Sequence, residues 1–324
     1  MIKRGVGTIA GRKVDEAVLS DGPVWVSLLS HGAILRDWRL PDGAGRERSV
    51  TLGFDDIARY GDNIGSLGIV AGRVANRIRE GRFALDGVHY QLDRNRGPHH
   101  LHGGREGFGT QNFALEAEGR EARLTLHSPD GAMGYPGAVD VTLRFILRGH
   151  SLTFDMTAVP DRPTPIALAQ HSYYRLGAHG SDHTLTIPAD RTTVVDAQTV
   201  PTGAFAPVAG TALDFRQARR IGNAFIDTNF CLTGAPAATL ATDTFALTME
   251  TDRPGLQVFS GGALPTFPVA GHEGVIYGPL AGIALEAQDF PDAVNHAAFG
   301  DVIATPEKPY RQVTTVTIAP TRSR

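Results

Sequence analysis

Between Val139 and Leu147 every second residue is apolar: Val139, Val141, Leu143, Phe145 and Leu147, with Asp140, Thr142, Arg144 and Ile146 between them. Leu152, Phe154, Met156 and Ala158 then alternate with Thr153, Asp155 and Thr157. A period of two places one set of side chains on one face of an extended chain, and it suits half-buried strands rather than helices. The same signal recurs. Phe83 and Leu85, then Val88, Tyr90 and Leu92, flank Asp86-Gly87, a two-residue hairpin turn. The segment 313–318 is β-branched almost throughout, as a closing strand would be. With 38 Gly and 20 Pro, turns are frequent and long helices have little room. The expected architecture is all-β: one large antiparallel β-sandwich, few short helices, and a single domain over 1–324. A short helix is expected around Pro291 to His296, and 203–210 reads as an ordered loop.

At 42% hydrophobic and 20% charged, the chain has enough apolar residues for a large core. A net charge of -3 leaves no basic footprint for nucleic acid, and no Lys/Arg-rich run suggests a membrane surface. The partner expected is a small molecule. Cys231, the single cysteine, rules out an internal disulfide and reads as a buried thiol within Asn229-Phe230-Cys231-Leu232. No apolar stretch follows Met1-Ile2-Lys3-Arg4-Gly5, so the expected location is the cytoplasm.

Clusters of polar residues break the strand pattern. GRVANRI (72–78) holds Arg73, Asn76 and Arg77; LHGG (101–104) sets His102 before two glycines; QHSYYRLG (170–177) carries His171 beside two tyrosines. Asp227 opens an apolar run in IDTNFCL (226–232), Gln257 lies in RPGLQVFSGG (253–262), and Glu286 alternates with apolar residues in IALEAQDFPDAVNH (283–296). Each has a structural reading as well. Arg73 and Arg77 read equally as a solvated pair, Asp227 as a turn cap, and Glu286 with Gln288 as the wet face of a strand. His100 and His102 sit two apart, as metal ligands on one strand face would, but no third ligand follows at metal spacing.

Taken in order, GRVANRI, LHGG, QHSYYRLG and LEAQDFPDAVNH resemble the aldose 1-epimerase (galactose mutarotase) family, and 183–216 is similar to its middle section. The resemblance implies a galactose mutarotase-like supersandwich with a sugar cleft on one face, acting on a free aldose such as galactose or glucose. It implies no cofactor and no metal, and a monomer or homodimer. By motif, His171 matches the family's general acid and Glu286 its general base, while Asn76, Arg77, His102, Asp227 and Gln257 match residues that touch the sugar. The chain departs from the family at Gln170 and Arg175, where Asn is usual, at Thr228, where His is frequent, and at Gly262, where Asn is frequent. Three other readings stay open: a hexose-6-phosphate 1-epimerase using Arg94, Arg96 or Arg175 for the phosphate, a non-catalytic sugar-binding module, and a glycosidase using Asp227 with Glu286.

Overall fold

The computed structural model describes residues 1–62 and 64–321. Three larger sheets, of nine, six and five strands, make up its frame. The nine-stranded sheet runs from Ala114–Glu118 through Glu121–Ser128, Val139–Arg148 and Ser151–Pro160 to Tyr310–Pro320, then on through Phe245–Thr251 and Ala238–Ala241 to short edge strands. Its pairings are antiparallel, including Phe145 with Phe154 and Leu152 with Val316. The alternation read from the sequence is realised there: Val139, Val141, Leu143, Phe145 and Leu147 are buried and their intervening neighbours are not.

Those inward side chains pack with one face of the six-stranded sheet, ordered Tyr173–Tyr174, Ile283–Gln288, Gly255–Phe259, Asp227–Leu232, Ala189–Val195 and Pro201–Pro207. Phe145, Phe154, Met156, Leu247 and Ile318 belong to one apolar cluster with Phe230, Leu256, Val258 and Leu285, which is the core of the sandwich. Each fully buried Leu, Val or Phe contributes roughly 1.5–3 kcal/mol relative to exposure. Val26, Leu28, Trp38 and Leu40 extend the cluster into the five-stranded N-terminal sheet.

The opposite face of the six-stranded sheet is polar. In its antiparallel ladder Asn229 faces Gln257 and Gln257 faces Glu286. These side chains share the face turned away from the core, because Phe230, Val258 and Leu285 occupy the other one.

Two local expectations change. The helix expected around Pro291 to His296 is a single 3₁₀ turn, Ala293–Asn295, followed by another at Ala297–Phe299. The segment 203–210 is not all loop, since Pro201–Pro207 is the edge strand beside Ala189–Val195. Proline is tolerated there because an edge strand leaves one row of N–H groups outside the ladder. The hairpin at Asp86-Gly87 forms as read, with both residues at positive φ of 51° and 79°. Cys231 is buried, and burial pushes its thiol up to about 11, so it stays protonated. No helix of the described residues is long and apolar enough to cross a membrane.

Candidate active site

Short backbone pairings stitch three of the polar motifs together. Arg77 pairs with Leu101, which brings Asn76 against His102; Val70 pairs with Gln170, which places His171 beside them. Asn76 N–H donates to His102 Nδ1 at 3.1 Å while His102 N–H donates to the Asn76 carbonyl, also at 3.1 Å. Both residues take positive φ, 62° and 52°. The glycines after His102 are required by the crossing: a Cβ on Gly103 would lie 1.7 Å from the Gly72 carbonyl oxygen. The polar face of the six-stranded sheet supplies the other wall with Asp227, Gln257 and Glu286.

Asn76, Arg77, His102, His171, Asp227, Gln257 and Glu286 all line one cleft of about 460 Å³. That size falls within the roughly 300–1,000 Å³ usual for small-molecule sites. His171 Nε2 and Glu286 Oε1 are 3.4 Å apart, with only 7% and 3% of their side chains exposed. Burial raises Glu286 to about 8, the Asp227 charge adding to it and Arg77 opposing it. Burial also holds His171 down at about 4, against the ordinary imidazole value near 6.5 expected from the sequence. Water is the better solvent for either charge, so a dry pocket favours both neutral forms. His171 Nδ1 and Glu286 Oε2 are buried and meet no hydrogen-bond partner within the protein.

Asp227 begins a strand rather than capping a turn, and its Oδ1 accepts from Gln257 Nε2 at 2.6 Å. Glu286 and Gln288 are not on a wet face: every residue of Ile283–Gln288 is buried. Arg73 is no solvated partner of Arg77 either. Its guanidinium is buried and donates to the Pro136 and Gly137 carbonyls, both at 2.9 Å, and to Ser128 Oγ at 2.8 Å. Arg175 does not line the cleft; it reaches the Ala178 carbonyl and lies 4.0 Å from Glu273, bracing its own loop.

His102, His171 and Glu286 place ligand atoms within 4.8 Å of one another, as a metal would require. The donor set does not suit one. His102 Nδ1 accepts from Asn76 N–H, so the neutral ring carries its proton on Nε2 and has no lone pair left for a cation. His100 is spent as well, between the Asp93 carbonyl at 2.6 Å and the Tyr135 hydroxyl at 2.7 Å.

The sequence did not single out Tyr173 or Phe259, which also line the cleft. The Tyr173 ring lies 5.2 Å from that of His171, and its hydroxyl donates to the Gly65 carbonyl at 2.8 Å. The signal was present in the period of two. Tyr173 follows His171, and Phe259 follows Gln257, by two residues.

A family profile described as Aldose 1-epimerase matches residues 16–317. The chain belongs to the aldose 1-epimerase family. Members of this family are isomerases acting on aldose sugars. The chain is 34% identical to the galactose mutarotase of Rattus norvegicus, covering 94% of both chains. It is 32% identical to the aldose 1-epimerase of Escherichia coli (strain K12), over 89% of this chain and 90% of that one. Among solved structures, the galactose 1-epimerase from Lactobacillus acidophilus NCFM superposes with a TM-score of 0.86 at 28% identity, covering 99% of each chain. The aldose 1-epimerase family thus accounts for the all-β sandwich as well as for the order of the motifs.

Proposed function

We propose that this chain interconverts the α and β anomers of a free aldose, with Glu286 as the base and His171 as the acid. Anomers exchange when the ring opens, C1 turns about the C1–C2 bond, and the ring closes on the other carbonyl face. Opening removes a proton from the C1 hydroxyl and delivers one to the ring oxygen. Both oxygens are bonded to C1, so the acid and the base must lie within a few ångströms of each other. The 3.4 Å between His171 Nε2 and Glu286 Oε1 is the observation that carries this reading.

Proton counting supports it too. Burial leaves the pair holding one proton, on Glu286, between about pH 4 and about pH 8. Passing that proton to His171 yields a carboxylate and an imidazolium without any exchange with solvent. Sugar hydroxyls meeting His171 Nδ1 and Glu286 Oε2 would replace the lost hydration of these charges. Arg77, Asn76, His102, Asp227 and Gln257 hold the remaining hydroxyls. Reclosure runs the two transfers backwards, which resets the enzyme with no cofactor.

The reading of Asp227 with Glu286 as a glycosidase pair is disfavoured, because Asp227 is hydrogen-bonded to Gln257 while His171 faces Glu286. Polarimetry of freshly dissolved α-glucose, α-galactose, xylose and arabinose tests the proposal. Accelerated mutarotation of at least one is expected; binding without acceleration would leave a sugar-binding module in its place.

A further inference from the structure

Arg96 lines the same cleft, is solvent-exposed, and takes no part in the proposed chemistry. Arg77 apart, which also opens on the cleft, the arginines flanking this turn are engaged. Arg79 pairs with Asp196 at 2.9 Å, Arg105 pairs with Asp93, and Arg94 donates to Gln91 Oε1 at 3.0 Å and to the Glu80 carbonyl at 3.1 Å. Among the described residues, the Arg96 guanidinium forms neither an ion pair nor a hydrogen bond, in contrast to these neighbours.

Its backbone is nonetheless fixed. Arg96 and His99 exchange two backbone hydrogen bonds of 3.1 Å, closing a turn over Gly97 and Pro98. The His99 ring is held in turn, accepting from Glu80 N–H at 3.0 Å through Nδ1 and meeting Gln198 Oε1 at 2.9 Å through Nε2. The charge therefore projects from a braced turn rather than from a loose loop. Its charge reaches the cleft: burial and the Asp227 charge act more strongly on Arg77, but Arg96 also works against the charged form of that guanidinium. The cleft lining carries two guanidiniums, Arg77 and Arg96, beside Asp227, and a neutral sugar offers Arg96 no counter-charge.

We propose that Arg96 is a specificity-determining residue that admits acidic aldoses, pairing with the carboxylate of a uronic acid whose C1 lies at Glu286 and His171. The proposal rests on the mutarotase reading and narrows its substrate class. A planar guanidinium accepts a carboxylate through two parallel hydrogen bonds. Arg77, the second guanidinium of the cleft, lies in the field of the Asp227 carboxylate, which leaves the exposed Arg96 to match the single charge of a carboxylate.

Exchange NMR of the α and β anomers of glucuronate, glucose and glucose 6-phosphate tests this with the wild-type chain, Arg96→Gln and Arg96→Lys. The kcat/KM ratio of glucuronate to glucose should fall about five- to tenfold in Arg96→Gln, as expected for one charge-assisted contact, mainly through KM. Arg96→Lys should restore much of that ratio. Raising salt from ~50 to ~500 mM should lower it in the wild type and leave it flat in Arg96→Gln. A ratio unmoved by Arg96→Gln overturns the proposal, and so does an Arg96 effect confined to glucose 6-phosphate. A wild-type chain that accelerates none of the three sugars overturns the mutarotase reading itself, which keeps the two failures distinct.

Discussion

Gln257 Nε2 reaches Asp227 Oδ1 diagonally across the ladder, because Asp227 faces Phe259 while Gln257 faces Asn229. Gln257 also faces Glu286 on its other side. Gln257 therefore stands on the strand between the carboxylate proposed to hold the sugar and the carboxylate proposed to react with it, and its amide is tied to the first. Diagonal neighbours on a sheet face lie within reach of long side chains, and a Gln fills that span.

Asp227→Asn keeps the acceptor for Gln257 and removes the charge. Asp227 helps to hold Glu286 up at about 8, so its neutral replacement should make Glu286 easier to ionise. The alkaline limb of the kcat/KM profile should move to lower pH, and KM should rise with the loss of a charged contact to sugar hydroxyls. An alkaline limb that stays in place would detach Asp227 from the electrostatics of Glu286.

Glu286→Gln removes the proposed base while keeping its shape. Mutarotation should slow by ~10²–10⁴, the usual contribution of one positioned acid or base. Sugar affinity, followed by calorimetry, should change far less. His171→Asn should behave similarly, and the double variant should lose much less than the product of the single losses, since the two act as a unit. Near-full activity in Glu286→Gln would place the base elsewhere.

The pH dependence follows from the two opposite shifts. Below about pH 4 His171 gains a second proton for the pair and no carboxylate is free; above about pH 8 the single proton is lost and no acid remains. A bell-shaped kcat/KM profile with limbs near these values is expected. Stability carries the same signature. Glu286 is raised in the folded chain from an ordinary 4.5, so its contribution is fully present below that value and declines as pH rises through about 8. His171 is depressed from 6.5, so its contribution is present above that value and declines as pH falls through about 4. Glu286→Gln should therefore melt at a higher temperature than wild type at pH 9 and at nearly the same temperature at pH 5.

Arg73→Met should damage the fold rather than the chemistry. It strands the Pro136 and Gly137 carbonyls and Ser128 Oγ in a buried place. Each abandoned polar group costs roughly 1–3 kcal/mol, so a loss of about 3 kcal/mol or more is expected in urea unfolding. Turnover per folded molecule should fall much less, because Arg73 does not line the cleft.

The contrast between Arg73 and Arg77 shows where sequence reading stops. The two belong to one seven-residue motif, yet one is buried among carbonyls and the other opens on the cleft. Nothing local separates them; the partner segments at 128–137 and 100–101 do. The nine-stranded sheet was legible because a period of two is a local property, and the hairpin at Asp86-Gly87 because its turn is set by two residues. The dryness around Glu286 was not legible. Alternation on Ile283–Gln288 is the same whether the second face meets water or a roof of folded-back loops, and burial beneath that roof is the main cause of the raised pKa of Glu286. Tyr173 and Phe259 carry a local signal, standing two residues after His171 and Gln257, but the spacing does not say that the face they share is the cleft.

The strand Tyr310–Pro320 lies in the middle of the nine-stranded sheet, between Ser151–Pro160 and Phe245–Thr251. On a ribosome, the two halves of that sheet wait for the same late segment before they can join. Until residues 310–320 emerge, Ser151–Pro160 and Phe245–Thr251 each present an open edge with unpaired N–H and C=O groups. Pairings this distant in sequence are also slow to form, because the loop must close before any contact rewards it. Both edges therefore stay open to mispairing until the same segment fills the gap between them.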